Sequence, residues 1–154
     1  MDNRIIVPGE ILLENVSEQL GNGLDVCMRV KGSSMLPFIT GDRDSVIMRK
    51  LDKVGVGDIV LARIRKGTYV VHRIIDIDGD MVRLMGDGNI AGTETCRLSD
   101  ICGTILWVED PHGKRKDCRS KTHFRKAAIW RKLLPVRRIL LAIYRRTILK
   151  LKTK

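Results

Sequence analysis

Apolar and polar positions fall into three regimes along the chain. In the first 25 residues Ile11, Leu12, Asn15, Val16, Gln19 and Leu20 recur at helical spacing, Pro8 suits a first helical turn, and Gly21-Asn22-Gly23 ends the run. This predicts a short N-terminal helix. From Asp25 to Val108 the pattern becomes short alternations rich in β-branched residues, at 26–30, 46–48, 59–64, 69–75, 81–85 and 103–108, punctuated by Gly-Asp pairs such as Gly41-Asp42, Gly57-Asp58 and Gly86-Asp87. Alternation with such turns predicts six or more strands and a mainly β fold, either coiled antiparallel sheets or a partly closed barrel. Residues 110–118 are polar and turn-rich and read as a linker. Beyond them the helical period returns: Ile129, Leu133, Val136, Leu140, Ile143 and Leu151 can share one face, Arg131, Arg138, Arg145 and Lys152 recur on another, and Pro135 kinks or splits the helix. The expected organisation is a helical arm over 1–25, a β domain over 26–109, the linker, and a basic amphipathic tail over 119–154.

Composition sharpens this division. A chain of 154 residues, 44% of them hydrophobic, fits one compact domain plus an appendage. Its net charge of +11 is unevenly spread, because residues 119–154 hold 13 basic and no acidic side chains while residues 1–118 hold 16 basic against 18 acidic. The basicity belongs to the tail, which argues against a nucleic-acid-binding core and for a separate segment that meets something anionic. No run of 18 apolar residues and no secretory leader pattern occur, so the expected location is cytoplasmic, with peripheral attachment to a membrane. Cys27, Cys96, Cys102 and Cys118 form no CxxC pair and have no histidines at zinc-finger spacing, so reduced thiols are expected and neither metal nor cofactor.

Chemistry concentrates in four segments. Val30 to Asp42 (VKGSSMLPFITGD) sets Ser34 between a glycine-serine turn and Met35-Leu36-Pro37 at a strand end, a place where a hydroxyl is exposed. Val54 to Ala62 (VGVGDIVLA), Tyr69 to Ile74 (YVVHRI) and Leu84 to Asn89 (LMGDGN) follow. A serine hydroxyl is a weak nucleophile near pH 7 and needs a base within hydrogen-bond reach. His72, on an apolar alternating strand, is the candidate base, while His112 and His123 fall in the linker and tail. Lys50, Lys53 and Lys66 are the competing bases, but none occupies an apolar strand position that would desolvate an ammonium.

In this order the segments resemble the serine peptidase superfamily of type I signal peptidases and LexA-type self-cleaving repressors. Gly32-Ser33-Ser34-Met35 is similar to the G-x-S-M that holds the nucleophile, Gly57-Asp58-Ile59-Val60 to the GDIV strand, and His72 to the base of the histidine-type (eukaryotic and archaeal) signal peptidases. The resemblance implies a coiled β fold and acyl transfer from Ser34, with Gly32, Ser33 and Met35 forming the nucleophile turn and the Ser34 amide one oxyanion donor. A carboxylate should hold the second ring nitrogen of His72, and the Gly86-Asp87 position suggests Asp87. The distal aspartate of the eukaryotic enzymes is missing after Asn89, and Glu94 is the carboxylate that could compensate.

A serine endopeptidase acting on a peptide or protein of signal- or leader-like character is therefore the leading expectation. A LexA-like self-cleaving regulator is the alternative, against which stand the few residues before Ser34. A non-catalytic peptide-binding module would be expected to lose Ser34 or His72. The tail, with Trp130 and Tyr144 among its aliphatic residues, is expected to lie on an anionic bilayer, nucleic acid being the rival partner. A truncation after Cys118 is expected to keep cleavage.

Overall fold

The computed structural model describes residues 4–7, 13–148 and 150. Strand β1 (Arg4–Val7) runs parallel to β2 (Asp25–Arg29), which pairs antiparallel with β3 (Ser45–Arg49). Next come β4 (Ile59–Arg65), β5 (Thr68–Asp78), β6 (Met81–Met85), β7 (Glu94–Arg97), β8 (Ile101–Glu109) and β9 (Arg115–Asp117). Their order, β1-β2-β3-β8-β4-β5-β6-β7 with β9 on β8, forms a single path with β1 and β7 at its ends. Of the two arrangements expected, the sheet is therefore open rather than closed into a barrel.

Helix α1 (Leu13–Gly21) buries Val16 and Leu20, and Leu20 fits only because Gly103 faces it: a Cβ there would lie 2.8 Å from Leu20 Cδ1. Of the expected N-terminal helix, Pro8, Ile11 and Leu12 lie outside the described residues. The helical arm over 1–25 needs correcting at its start, since four residues there are a strand, too short a run to show a period.

Alternation along each strand gives the sheet two apolar faces. One collects Val26, Met35, Val46, Met48, Ile59, Leu61 and Ile105 with the inner side of α1, and the other collects Val60, Ala62, Ile74, Val82, Leu84 and Ile101. Strand β5 contributes to both. His72, opposite Val60, faces the second core, and Arg73, opposite Ile59, faces the first.

The C-terminal region departs most from expectation. Residues 115–117 of the supposed linker pair with β8, and two helices follow, α2 (Lys121–Lys132) and α3 (Arg137–Arg146), separated by a single 3-10 turn around Pro135. Ser120 caps α2 by accepting from the His123 amide at 3.1 Å. The helices pack on the β domain through Ala127, Arg137 and Leu141, so the tail is part of the same body. Of the expected apolar stripe, Ile129, Val136 and Ile143 are exposed, and Leu151, like Lys152 of the basic row, lies outside the described residues.

Candidate active site

The nucleophile turn is built by close backbone approach. Gly32 adopts a φ of 82°, and its backbone stands directly against Gly41, where a Cβ would collide with it. Asp42 N–H donates to the Val30 carbonyl at 2.7 Å, and the Asp44 carboxylate accepts from the Thr40 amide at 2.9 Å, closing the loop behind Ser34. Met35 is buried and anchors the turn in the first core, Ser33 is exposed, and Ser34 is half-buried. Gly32, Ser33, Ser34 and Met35 thus form a pinned turn that runs from exposed at Gly32 and Ser33 to buried at Met35.

The Gly86-Asp87-Gly88-Asn89 turn is laid onto this one. Gly88 N–H donates to the Ser34 carbonyl at 2.8 Å, and a Cβ on Gly88 would strike the Ser33 carbonyl. A Cβ on Gly86 would meet the Ser34 carbonyl oxygen and, at 3.0 Å, His72 Nε2. Both glycines are thus required by the contact itself, and Nε2 of His72 lies beside the Ser34 backbone.

His72 is buried at 6% exposure, and its Nδ1 is 2.8 Å from Glu94 Oε2. The register explains the pairing: Glu94 sits opposite Leu84, which sits opposite Ile74, so Glu94 shares a sheet face with Ile74 and with His72 two residues before it. With Nδ1–H donating to the carboxylate, Nε2 is left as the acceptor that faces the Ser34 turn. An exposed loop aspartate is not needed where a strand carboxylate already reaches the ring.

The assignment of Asp87 as the group that orients His72 is corrected by this geometry. Asp87 is 3% exposed and takes a forked pair from Arg73, with Nε to Oδ1 at 2.9 Å and Nη2 to Oδ2 at 2.7 Å. Arg73 is fully buried and also donates to the Gly57 carbonyl at 2.7 Å, while Phe38 lies under its guanidinium. A buried guanidinium demands a carboxylate, and that demand takes Asp87 away from the histidine.

The C-terminal helices reach the same turn from behind. Trp130 Nε1 donates to the Asp87 carbonyl at 2.7 Å, and Arg137 Nη1 donates to the Asn89 carbonyl at 2.9 Å while its guanidinium stacks on Trp130. Arg119 pairs with buried Asp58 of the GDIV turn at 2.9 Å, and Phe124 packs on Gly57. His123 Nε2 lies 3.1 Å from Arg73 Nη1 and accepts from it. Burial, reinforced by the Arg73 charge, pushes its pKa down to about 4, which keeps the ring neutral. Arg73, Trp130 and Arg137 escaped sequence reasoning. A signal for Arg73 did exist: an arginine at an inward position of an apolar strand must find a buried acid.

Lys50, Lys53 and Lys66 are all exposed, none of them desolvated as a lysine base would be. None of the four cysteines forms a disulfide; burial raises Cys96 to about 11 and Cys118 to about 12, leaving both thiols protonated and unreactive. Among the described residues no cluster of His, Cys, Asp and Glu could hold a metal ion, and no helix is long and apolar enough to cross a membrane.

Comparison with known proteins accords with this geometry. Residues 8–106 match the family model described as Peptidase S24-like, which covers the Ser34 turn, His72, Asp87 and Glu94. A LexA repressor from Herpetosiphon aurantiacus is 36% identical over 83 residues, 54% of this chain. The chain spans 36% of the length of that relative, and the family match ends before α2 and α3.

Proposed function

Because this chain belongs to the Peptidase S24-like family, we propose that it is a serine endopeptidase in which Ser34 attacks a peptide carbonyl, His72 takes the hydroxyl proton through Nε2, and Glu94 holds the imidazole. The observation that carries the reading is the 2.8 Å contact between His72 Nδ1 and Glu94, made on a histidine whose other nitrogen lies beside the Ser34 turn. His72 then returns the proton to the leaving amine, and the Ser34 amide faces the developing oxyanion. Water completes the cycle by hydrolysing the acyl-enzyme, with the same histidine as base. The substrate is a separate peptide or protein of leader-like character.

Incubating the chain with a library of peptides and sequencing the new termini by mass spectrometry tests this. Wild type should create a restricted set of termini that Ser34→Ala does not. Identical termini from both proteins, or none from either, would overturn the reading. The LexA relative favours a second reading, self-cleavage. It would appear as fragments of this chain forming at a rate independent of its concentration.

We also propose that the outer face of the C-terminal helices attaches the protein peripherally to an anionic bilayer. Supporting this, Ile139 and Ile143 stand 62% and 53% exposed on a segment with 13 basic and no acidic residues. Co-sedimentation with anionic but not neutral vesicles, lost in I139S/I143S, is the expected result. Binding to nucleic acid in place of vesicles would overturn it.

A further inference from the structure

A groove of about 370 Å³ separates the end of the catalytic turn from α3, with Asn89 and Ile90 on one wall and Arg138, Leu141 and Arg145 on the other. Arg138 and Arg145 are two helical turns apart and therefore lie on one side of α3. Among the described residues neither makes an ion pair or a side-chain hydrogen bond. Deeper in, Asp87 is the single carboxylate set among two buried guanidiniums. Arg73 takes its forked pair, while Arg137 hydrogen-bonds the carbonyls of Asn89 and Trp130 and the Met85 sulfur, stacks on Trp130 and leaves its Nε unpartnered. One carboxylate is thus shared by two buried guanidiniums, and two further guanidiniums line the groove. Acidic residues are absent from 119–154, so nothing in that segment neutralises them.

We propose that this groove is a subsite for a carboxylate of the peptide substrate, an acidic side chain or a C-terminus, held by Arg138 and Arg145 while its aliphatic stem lies on Ile90 and Leu141. The inference rests on the peptidase reading and names the class of substrate. Placement supports it, because the wall that carries Asn89 is continuous with Gly88, whose N–H holds the Ser34 carbonyl. A peptide lying across Ser34 therefore passes the groove within a few residues of the scissile bond. The concave shape favours a side chain over a bilayer, which would meet the convex face of Ile139 and Ile143 on another side of α3. Planar guanidiniums over an apolar floor form charge-assisted pairs that water screens only in part.

The test uses the full-length Ser34→Ala chain, which binds peptides without consuming them, and fluorescence anisotropy with decapeptide pools carrying an uncharged dye. Pools with one Glu are compared with pools carrying Gln at the same position, each as free acid and as C-terminal amide, which separates a side-chain carboxylate from a terminal one. One carboxylate source should bind about tenfold more tightly than its neutral counterpart, a preference weakened by salt and abolished in R138Q/R145Q, whose thermal midpoint confirms folding. Equal binding of acidic and neutral pools, or a preference that survives R138Q/R145Q, overturns the proposal. So does a double variant that loses anionic vesicles while binding peptides as before, since that assigns the arginines to a bilayer. Cleavage of the peptide library by wild type is read in parallel: its absence counts against the peptidase reading, while cleavage without acidic preference counts against the subsite alone.

Discussion

His72 and Arg73 are neighbours on one strand, each within 2.9 Å of a carboxylate, yet they belong to different regions with opposite demands. On the second-core face, His72 meets Glu94 at the half-exposed start of β7, and its other nitrogen lies near the Ser34 backbone. On the first-core face, Arg73 and Asp87 are sealed beneath α2, with His123, Trp130 and Arg137 closing every approach. The first pair lies beside the Ser34 turn, with its histidine buried and its carboxylate part-exposed. The second is sealed from solvent and serves as a post on which the turn over 86–89 is mounted. Strand alternation alone sets the two pairs on opposite faces across a single peptide bond.

The largest effect that sharpens this contrast falls on the reactive side. Ser34→Ala should lower cleavage by at least about 10⁴-fold while shifting stability by no more than about 0.5 kcal/mol, measured by urea unfolding. On the structural side the balance reverses. Arg73→Met or Asp87→Ala should cost about 3–5 kcal/mol, because each leaves a buried charge without its partner, and the double replacement R73M/D87L should recover most of it. If Arg73→Met left stability unchanged, the pair would not be the post described here.

Smaller effects come from the helices. Trp130→Phe keeps an aromatic ring but removes the donor to the Asp87 carbonyl, which should cost about 1 kcal/mol and slow cleavage several-fold. Truncation after Cys118 should do more harm than the sequence suggests, since it strips Trp130 and Arg137 from the catalytic turn. Cleavage at the full rate by the truncated chain would return the tail to the status of an appendage.

Acid sensitivity is the smallest effect and carries a sign. His123 has its folded pKa depressed to about 4, below the ordinary histidine value, so the unfolded chain takes up a proton first as pH falls. Its contribution is fully present above about pH 6.5 and is lost as pH drops toward about 4, by on the order of 1 kcal/mol once solvent screening is allowed for. His123→Gln retains an acceptor for Arg73 without titrating and should flatten that part of the stability profile. An unchanged slope would mean that other groups set it.

Much of the strand pattern was legible because β-branched alternation and Gly-Asp turns report local geometry. All six anticipated alternations became strands, whereas β1, β7 and β9 were missed because three or four residues carry no period. The Ser34 turn and His72 were legible through the same local chemistry, the serine between Gly32 and Pro37 and the histidine in an apolar run. Which carboxylate meets His72 was legible only as a pair of candidates, because the Gly86-Asp87 position favoured Asp87 over Glu94 and only the register through Leu84 brings Glu94 onto the ring's face. The tail misled for a related reason: its charge suggested a separate appendage for an anionic partner, but Arg137 is buried by a tertiary contact with Asn89 that no helical period can announce.

The claim at the centre of this account is that Ser34 is activated by a histidine held by Glu94. Acylation by a fluorophosphonate probe, followed by peptide mapping, reads that step without a known substrate. A single labelled site at Ser34 is expected, at a rate reduced about 10²-fold or more in Glu94→Gln, a variant whose half-exposed position leaves the fold intact. Labelling at any other residue, or an undiminished rate in Glu94→Gln, would contradict it.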